Sequence, residues 1–393
     1  MFSLLLFFPL VLLSAFGESV PDYNDPYSPI FTDKPKYTWT DKIKMTILAP
    51  SWNTDRHLID SIGDSNDHPI KISTREHSLE PYRFTETDVN SGIFTGEVIL
   101  TGFSHDANGD GNFDTTPRTT GSGPTSGFLE SGRDSAVTIS FEFAQGVIVT
   151  ESVPVGWNVG TIQLSKDVFF SDDSVIARVF DPDMNLNPES LDHVQIQLSS
   201  DSDVAGIEVD GIETSESSGL FVGTVSLSST LPSSGSRLYS LPGDKIFVEY
   251  DDHTLPKPYS TSENLKIRTQ ASVESSVPPI ERLQSLPITL SDSSGNPLQL
   301  FSSDSQIQVV GTVTNDDQFR QKFVYFFQIK NESGYVDSIS WVQGELSSGQ
   351  TLDVSQSWIP KKPGTYIVET FVWDSLTDLT ALSPSTSTSI SIQ

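Results

Sequence analysis

The chain has 393 residues, with 23 Lys plus Arg against 52 Asp plus Glu, a formal net charge of −29 and no Cys. A surface this acidic repels polyanions, which excludes general nucleic-acid binding. The lack of thiols excludes disulfides, Cys-ligated zinc, iron–sulfur centres and a Cys nucleophile.

With 36% hydrophobic and 10% aromatic residues the chain reads as folded, and at about 100 to 200 residues per domain it has room for about two to four domains. Phe2 to Phe16 is an apolar run ending in Ala15-Phe16-Gly17 before Glu18. That small-x-small ending predicts a secretory signal over 1–17, and the run is short of the ~20 residues that span a bilayer. No later segment is long and apolar enough to cross a membrane, so no span is expected once the signal is removed. Residues 18–36 form an N-terminal arm.

From residue 37 on, periodic segments alternate with period two. Val137, Ile139, Phe141 and Phe143 interleave with polar residues, as do Val194, Ile196 and Leu198, and Phe323, Tyr325, Phe327 and Ile329. This is the pattern of half-buried strands, and with turn residues recurring about every ten positions it predicts an all-β chain of three consecutive immunoglobulin-like β-sandwich modules. An internal repeat orders the first two. Glu86 to Leu100 aligns with Glu213 to Leu227 at an offset of 127 with eight of fifteen positions identical, sharing Glu-Thr-x-x-x-Ser-Gly-x-Phe-x-Gly. Upstream, Tyr37, Asp41, Ile43, Pro50 and Asn53 match Phe169, Asp173, Val175, Pro182 and Asn185 at an offset of 132. Repeat A is placed at 37–157, with an inserted acidic loop, and repeat B at 158–270.

Residues 271–285, stiffened by Pro278-Pro279, read as a linker. The C-terminal module, 286–393, lacks the repeat signature but carries Gly364-Thr365-Tyr366 behind Trp358, the arrangement in which a late-strand Tyr hydroxyl bonds back to the corner of a sandwich. Asn331-Glu332-Ser333 fits the acceptor pattern for N-linked glycosylation.

Two constellations point to Ca²⁺. Asp106, Asn108, Asp110 and Asp114 place oxygen donors at loop positions 1, 3, 5 and 9, with Gly111 at the sharp turn and Asn112 offering a carbonyl, while Pro117 replaces the usual twelfth-position Glu. In repeat B, up-and-down strands would gather Asp181, Asp183, Glu213, Glu216, Asp251 and Asp252 at one edge beside Asn185 and Asn187. Carboxylates that converge without bases raise one another's pKa values or recruit a cation. Repeat A has Ala49-Pro50 where B has Asp181-Pro182, so its matching site is expected to be degraded. The six His are scattered without zinc spacing. No Gly-x-Ser-x-Gly elbow, phosphate loop or dinucleotide fingerprint is present, so no enzyme is expected.

On Phe180-Asp181-Pro182-Asp183-Met184-Asn185-Leu186-Asn187-Pro188, the paired Glu-Thr-x-x-x-Ser-Gly segments, Gly243-Asp244-Lys245-Ile246 leading to Tyr250-Asp251-Asp252, and the Trp373 module, the chain resembles the exported immunoglobulin-like-repeat surface proteins of ammonia-oxidising archaea, S-layer-type envelope proteins among them. The resemblance implies a cell-surface location, calcium-supported sandwiches and a structural role, with cations and other envelope proteins or further copies of itself as partners. The alternative expectation is an extracellular binding or adhesion module, or an accessory subunit of a surface complex, using Phe323, Tyr325, Phe326, Phe327, Trp341, Trp358 and Trp373 as its contact face. A secreted hydrolase is the third.

Overall fold

A computed structural model describes residues 29–393 apart from Gln299 and Asp378; the expected signal, 1–17, and most of the arm lie outside the described residues. The chain is all-β, its strands arranged in several sheets packed as sandwiches. Among the described residues no helix is long and apolar enough to cross a membrane.

Each strand buries one face because its apolar residues recur every second position. Ile93–Leu100 buries Phe94, Val98 and Leu100, and its repeat partner Leu220–Ser228 buries Phe221, Val225 and Leu227. Both lie between antiparallel neighbours at the same place in their sheets. Ile93–Leu100 pairs with Lys42–Leu48 on one side and Phe84–Glu86 on the other; Leu220–Ser228 pairs with Ser174–Phe180 and Ile207–Glu213. Each also takes a short parallel strand at its end, Gly127–Leu129 in A and Arg237–Tyr239 in B.

The two repeats differ in one connection. In B, His193–Ser200 pairs first with Ile207–Glu213 and then with Lys245–Asp252, so the two leaves join into one nine-stranded hydrogen-bonded sheet. In A the corresponding stretch is broken into Ser61–Ile62 and Ile70–Ser73. The first pairs with Phe84–Glu86 and the second with Asp134–Ala144, leaving two separate sheets. Residues 63–69 lie between them, opening with Gly63 at φ 84°.

The shared Glu-Thr-x-x-x-Ser-Gly segment is a turn closed by its own Glu. Glu86 Oε1 accepts from Gly92 N (2.6 Å) and Ser91 Oγ (3.3 Å), and Oε2 from Asp60 N (3.3 Å). Glu213 repeats this with Gly219 N (2.8 Å), Ser218 Oγ (3.3 Å) and Asp192 N (3.2 Å). Gly92 (φ 64°) and Gly219 (φ 59°) must be Gly twice over: the backbone is left-handed, and a Cβ would lie 2.7 Å from Pro50 Cα and 2.6 Å from Pro182 Cα.

Buried apolar side chains form two cores. One runs without interruption through both repeats, from Ile30 to Val273. The other, Leu283 to Ile392, belongs to the C-terminal sandwich. There the four-stranded sheet Val336–Leu346, Gln321–Asn331, Gly364–Trp373, Thr386–Ile392 packs on a second sheet built around Ile307–Asn315 and Thr351–Trp358. Tyr366 packs edge-on against Trp358 and donates its hydroxyl to the Lys362 carbonyl at 3.1 Å, the corner bond that Gly364-Thr365-Tyr366 predicts. Of the seven aromatics considered as a contact face, Phe323, Tyr325, Phe327 and Trp358 are core, whereas Phe326, Trp341 and Trp373 lie together on the outer sheet face.

Candidate functional site

The most unusual chemistry of the molecule is a group of buried carboxylates where repeat B meets repeat A. Pro182 starts a single 3-10 turn, Pro182–Met184, which Asp181 caps by accepting from Asp183 N at 3.0 Å. The turn brings both carboxylates inside. Strand Lys245–Asp252, alternating inward at Tyr250 and Asp252, delivers a third. Asp181, Asp183 and Asp252 are all 0% exposed.

Among the described residues every hydrogen-bond donor to these oxygens is neutral. Tyr250 Oη donates to Asp181 Oδ2 at 2.6 Å, Gly160 N to Asp252 Oδ2 at 2.8 Å, and Thr254 N and Oγ1 to Asp252 Oδ1 at 2.8 and 3.1 Å. Asn158 donates to Asp183 through its backbone N and Nδ2. Gly160 leaves the space in which two of the carboxylates face each other: a Cβ there would lie 3.1 Å from Asp181 Oδ2 and 3.4 Å from Asp252 Oδ2. Lys36 reaches the group only through an amide, donating to Asn158 Oδ1 at 2.9 Å. Burial, with the charge of Asp252 added, pushes the Asp181 carboxyl up to about 7. Burial and the charge of Asp181 raise Asp183 well above the carboxylate range, and burial raises the Tyr250 hydroxyl likewise. The three carboxylates lie in the interior.

Repeat A closes over this group. Trp39 Nε1 donates to the Asp183 carbonyl at 2.9 Å and Thr40 Oγ1 to that of Asn185 at 2.6 Å. Trp39, Phe103, His105 and Trp157 pack as one aromatic cluster with centroids 4.9 to 5.7 Å apart. His105 Nε2 donates to the His253 carbonyl at 2.9 Å, and burial holds the imidazole below its ordinary pKa. Arg133 crosses to the Leu255 and Tyr259 carbonyls.

The residues expected to hold calcium separate. Asp181, Asp183 and Asp252 come together. Glu213 is the turn-closing acceptor described above, a role its recurrence as Glu86 in the same turn of repeat A could have revealed. Glu216 is exposed in the same turn, and Asn187 is exposed with Oδ1 on Glu189 N. Asp251 accepts from Asn264 Nδ2 at 2.6 Å near Lys266. Asn185 is buried with its side-chain amide unpaired. In the loop, the carboxylates turn onto the loop's own backbone: Asp106 accepts from Gly109, Asp110 and Gly111 N, Asp114 from Ala107 and Asn108 N and Asn108 Nδ2, and Asp110 from Asn112 N. Among the described residues no three His, Asp or Glu form a metal-holding group, so calcium rests on sequence spacing alone. The loop instead clasps repeat B, since a Cβ on Gly109 would lie 2.4 Å from the His253 ring. Repeat A sets Ala49 where B has Asp181, with the same backbone bond, Ala49 N to Gly92 O at 2.9 Å against Asp181 N to Gly219 O at 2.8 Å. Sequence reasoning missed Trp39, Asn158, Gly160 and Thr254, which belong to no motif.

No protein family matches the sequence, and no curated protein does. Among solved structures, the chain is similar to a beta-glucuronidase of Bacteroides uniformis (12% identity, TM-score 0.25, 56% of this chain and 26% of that one). It is also similar to the native conformation of E. coli alpha-2-macroglobulin (9%, TM-score 0.21, 93% and 23%) and to the Yersinia pseudotuberculosis adhesin InvE (14%, TM-score 0.29, 60% and 58%). The chain spans about a quarter of the first two and somewhat over half of the third, and likeness at these scores carries no assignment of activity.

Proposed function

We propose that the protein is a non-catalytic extracellular surface component in which repeats A and B form one rigid body that carries the C-terminal sandwich. The observation that carries this reading is the uninterrupted core across A and B, sealed by Trp39 over the buried carboxylates. Repeats meant to act separately would not share a core; a load-bearing spacer gains stiffness from it. The acidic surface keeps such a component soluble and draws cations to it. The resemblance to archaeal envelope proteins supports the same role.

A second reading, a binding or adhesion module, is favoured by the outer face of the C-terminal sandwich, where Trp341 is 50% exposed beside Phe326 and Trp373. Aromatics are over-represented among residues that dominate binding.

Cell fractionation with quantitation, with and without chelator, tests the structural reading. The expected result is abundant protein in the envelope fraction; scarce protein confined to the cytoplasm overturns it. A melting temperature lowered by chelator would show calcium to be a ligand. Loss of cell or surface adhesion in Trp341→Ala with unchanged envelope content would instead select the binding reading.

A further inference from the structure

We propose that Asn331 is the acceptor of an N-linked glycan that covers the apolar tip and open edge of the C-terminal sheet; this rests on the extracellular reading above. Asn331-Glu332-Ser333 is the one place in the sequence where Asn is followed by a residue other than Pro and then by Ser or Thr.

The fold presents it for modification. Asn331 ends strand Gln321–Asn331 and opens the hairpin turn into Val336–Leu346. Its Oδ1 accepts from Ser333 N and Tyr335 N, each at 3.0 Å, while Gly334 N donates to its carbonyl at 2.9 Å with Gly334 at φ 79°. The side-chain carbonyl is thereby turned into the hairpin and Nδ2 outward. Nδ2 has no partner among the described residues and is not among the buried unpaired atoms, so on this half-buried residue it keeps some contact with water. The Ser333 side chain, two residues on, lies in the same exposed turn.

The reaction needs a lipid-phosphate-linked oligosaccharide and its transferase. Nδ2 attacks the anomeric carbon, forming the N–C bond as the C–O bond to phosphate breaks. The lipid phosphate leaves, and the amide proton passes to a base of the transferase.

The neighbouring strand shows what such a glycan would do. Among the described residues Val336–Leu346 is hydrogen-bonded on one side only, to Gln321–Asn331. Its centre, Ser338 to Gln343, carries no charge, and Tyr335 (74%), Val336 (51%) and Ile339 (56%) are exposed. An uncharged open edge with apolar side chains is a template for pairing with another chain. The −29 of the whole molecule is a long-range defence that salt screens; a hydrated glycan at the hairpin tip is a local one that salt leaves intact.

Intact-mass measurement of the full chain recovered outside its native cells tests the proposal, alongside Asn331→Gln, Ser333→Ala and Ser333→Thr. A glycan mass is expected on the native chain and on Ser333→Thr, with complete loss in the other two. Sedimentation at high salt should show those two self-associating more than the native chain. Extracellular chain with unmodified Asn331 overturns the proposal and leaves the surface reading standing. Modified chain whose variants associate no more than it does overturns the shielding role, and chain found only in the cytoplasm overturns both.

Discussion

Where repeat A meets repeat B, Trp39 of one donates to the backbone of the other, an aromatic cluster spans the seam, and the buried core continues through it. Where repeat B meets the C-terminal sandwich, the cores are separate, Ser275 Oγ donates to Asp317 Oδ2 at 2.9 Å, and a cleft of about 860 Å³ lined by Asp244, Glu274, Arg282 and Arg320 lies between. The two joints teach that adjacency in sequence does not set stiffness. A continuous core couples unfolding of the bodies it joins, whereas a few polar contacts leave each body to its own stability.

The comparison breaks most readily at Trp39. Trp39→Ala removes a fully buried side chain and should cost about 3–5 kcal/mol. By calorimetry repeats A and B should still melt together at a lower temperature while the C-terminal transition stays in place; separate melting of A from B would sink the shared-core account. The reciprocal change is Gly311→Ala, whose Cβ would lie 2.0 Å from Tyr325 Oη. It should cost about 1–3 kcal/mol and lower the C-terminal transition alone.

The next effect is pH. Asp181 and Asp183 have folded pKa values raised above those of the unfolded chain, by burial first. The folded state therefore binds more protons. Stability from these groups is fully present below about pH 4 and is lost as pH rises through about 7. The A–B transition should fall between pH 5 and 9 beyond any change in the C-terminal one, and Asp181→Asn should flatten that slope and raise stability at pH 9 by about 1–4 kcal/mol. A slope unaltered by Asp181→Asn would show that the cluster carries no proton in this range.

Smallest is Ser275→Ala, worth about 1 kcal/mol or less. Because the chain has no Cys, spin labels on introduced Cys pairs report cleanly on each joint. The B-to-C distance distribution should broaden in Ser275→Ala and the A-to-B distribution stay narrow; equal widths across both joints would erase the contrast.

The residues themselves announced much of this. Period-two alternation named the inward faces of Ile93–Leu100 and Gln321–Asn331, since a strand has two faces and one must be dry. The Glu-Thr-x-x-x-Ser-Gly pair announced a repeated turn, and Tyr366 a corner bond. Ala49 against Asp181 announced that the acidic group belongs to one repeat. The turn-closing role of Glu213 was not legible, because a carboxylate near other carboxylates in sequence suggests a shared ion, while the N–H and O–H groups its oxygens accept from are not oriented by sequence.

By itself, then, the sequence determined an all-β chain, the repeat and its register, and the excess of acid over base, because these depend on side-chain type and spacing along one strand. The tertiary structure alone decided that two repeats share one core, that Asp181, Asp183 and Asp252 meet under Trp39 away from any base, and that the Asp106–Asp114 loop grips His253. Those outcomes depend on which surfaces exclude water together, and residues such as Trp39 and Asp183, 144 positions apart, carry no local mark of the contact they will share.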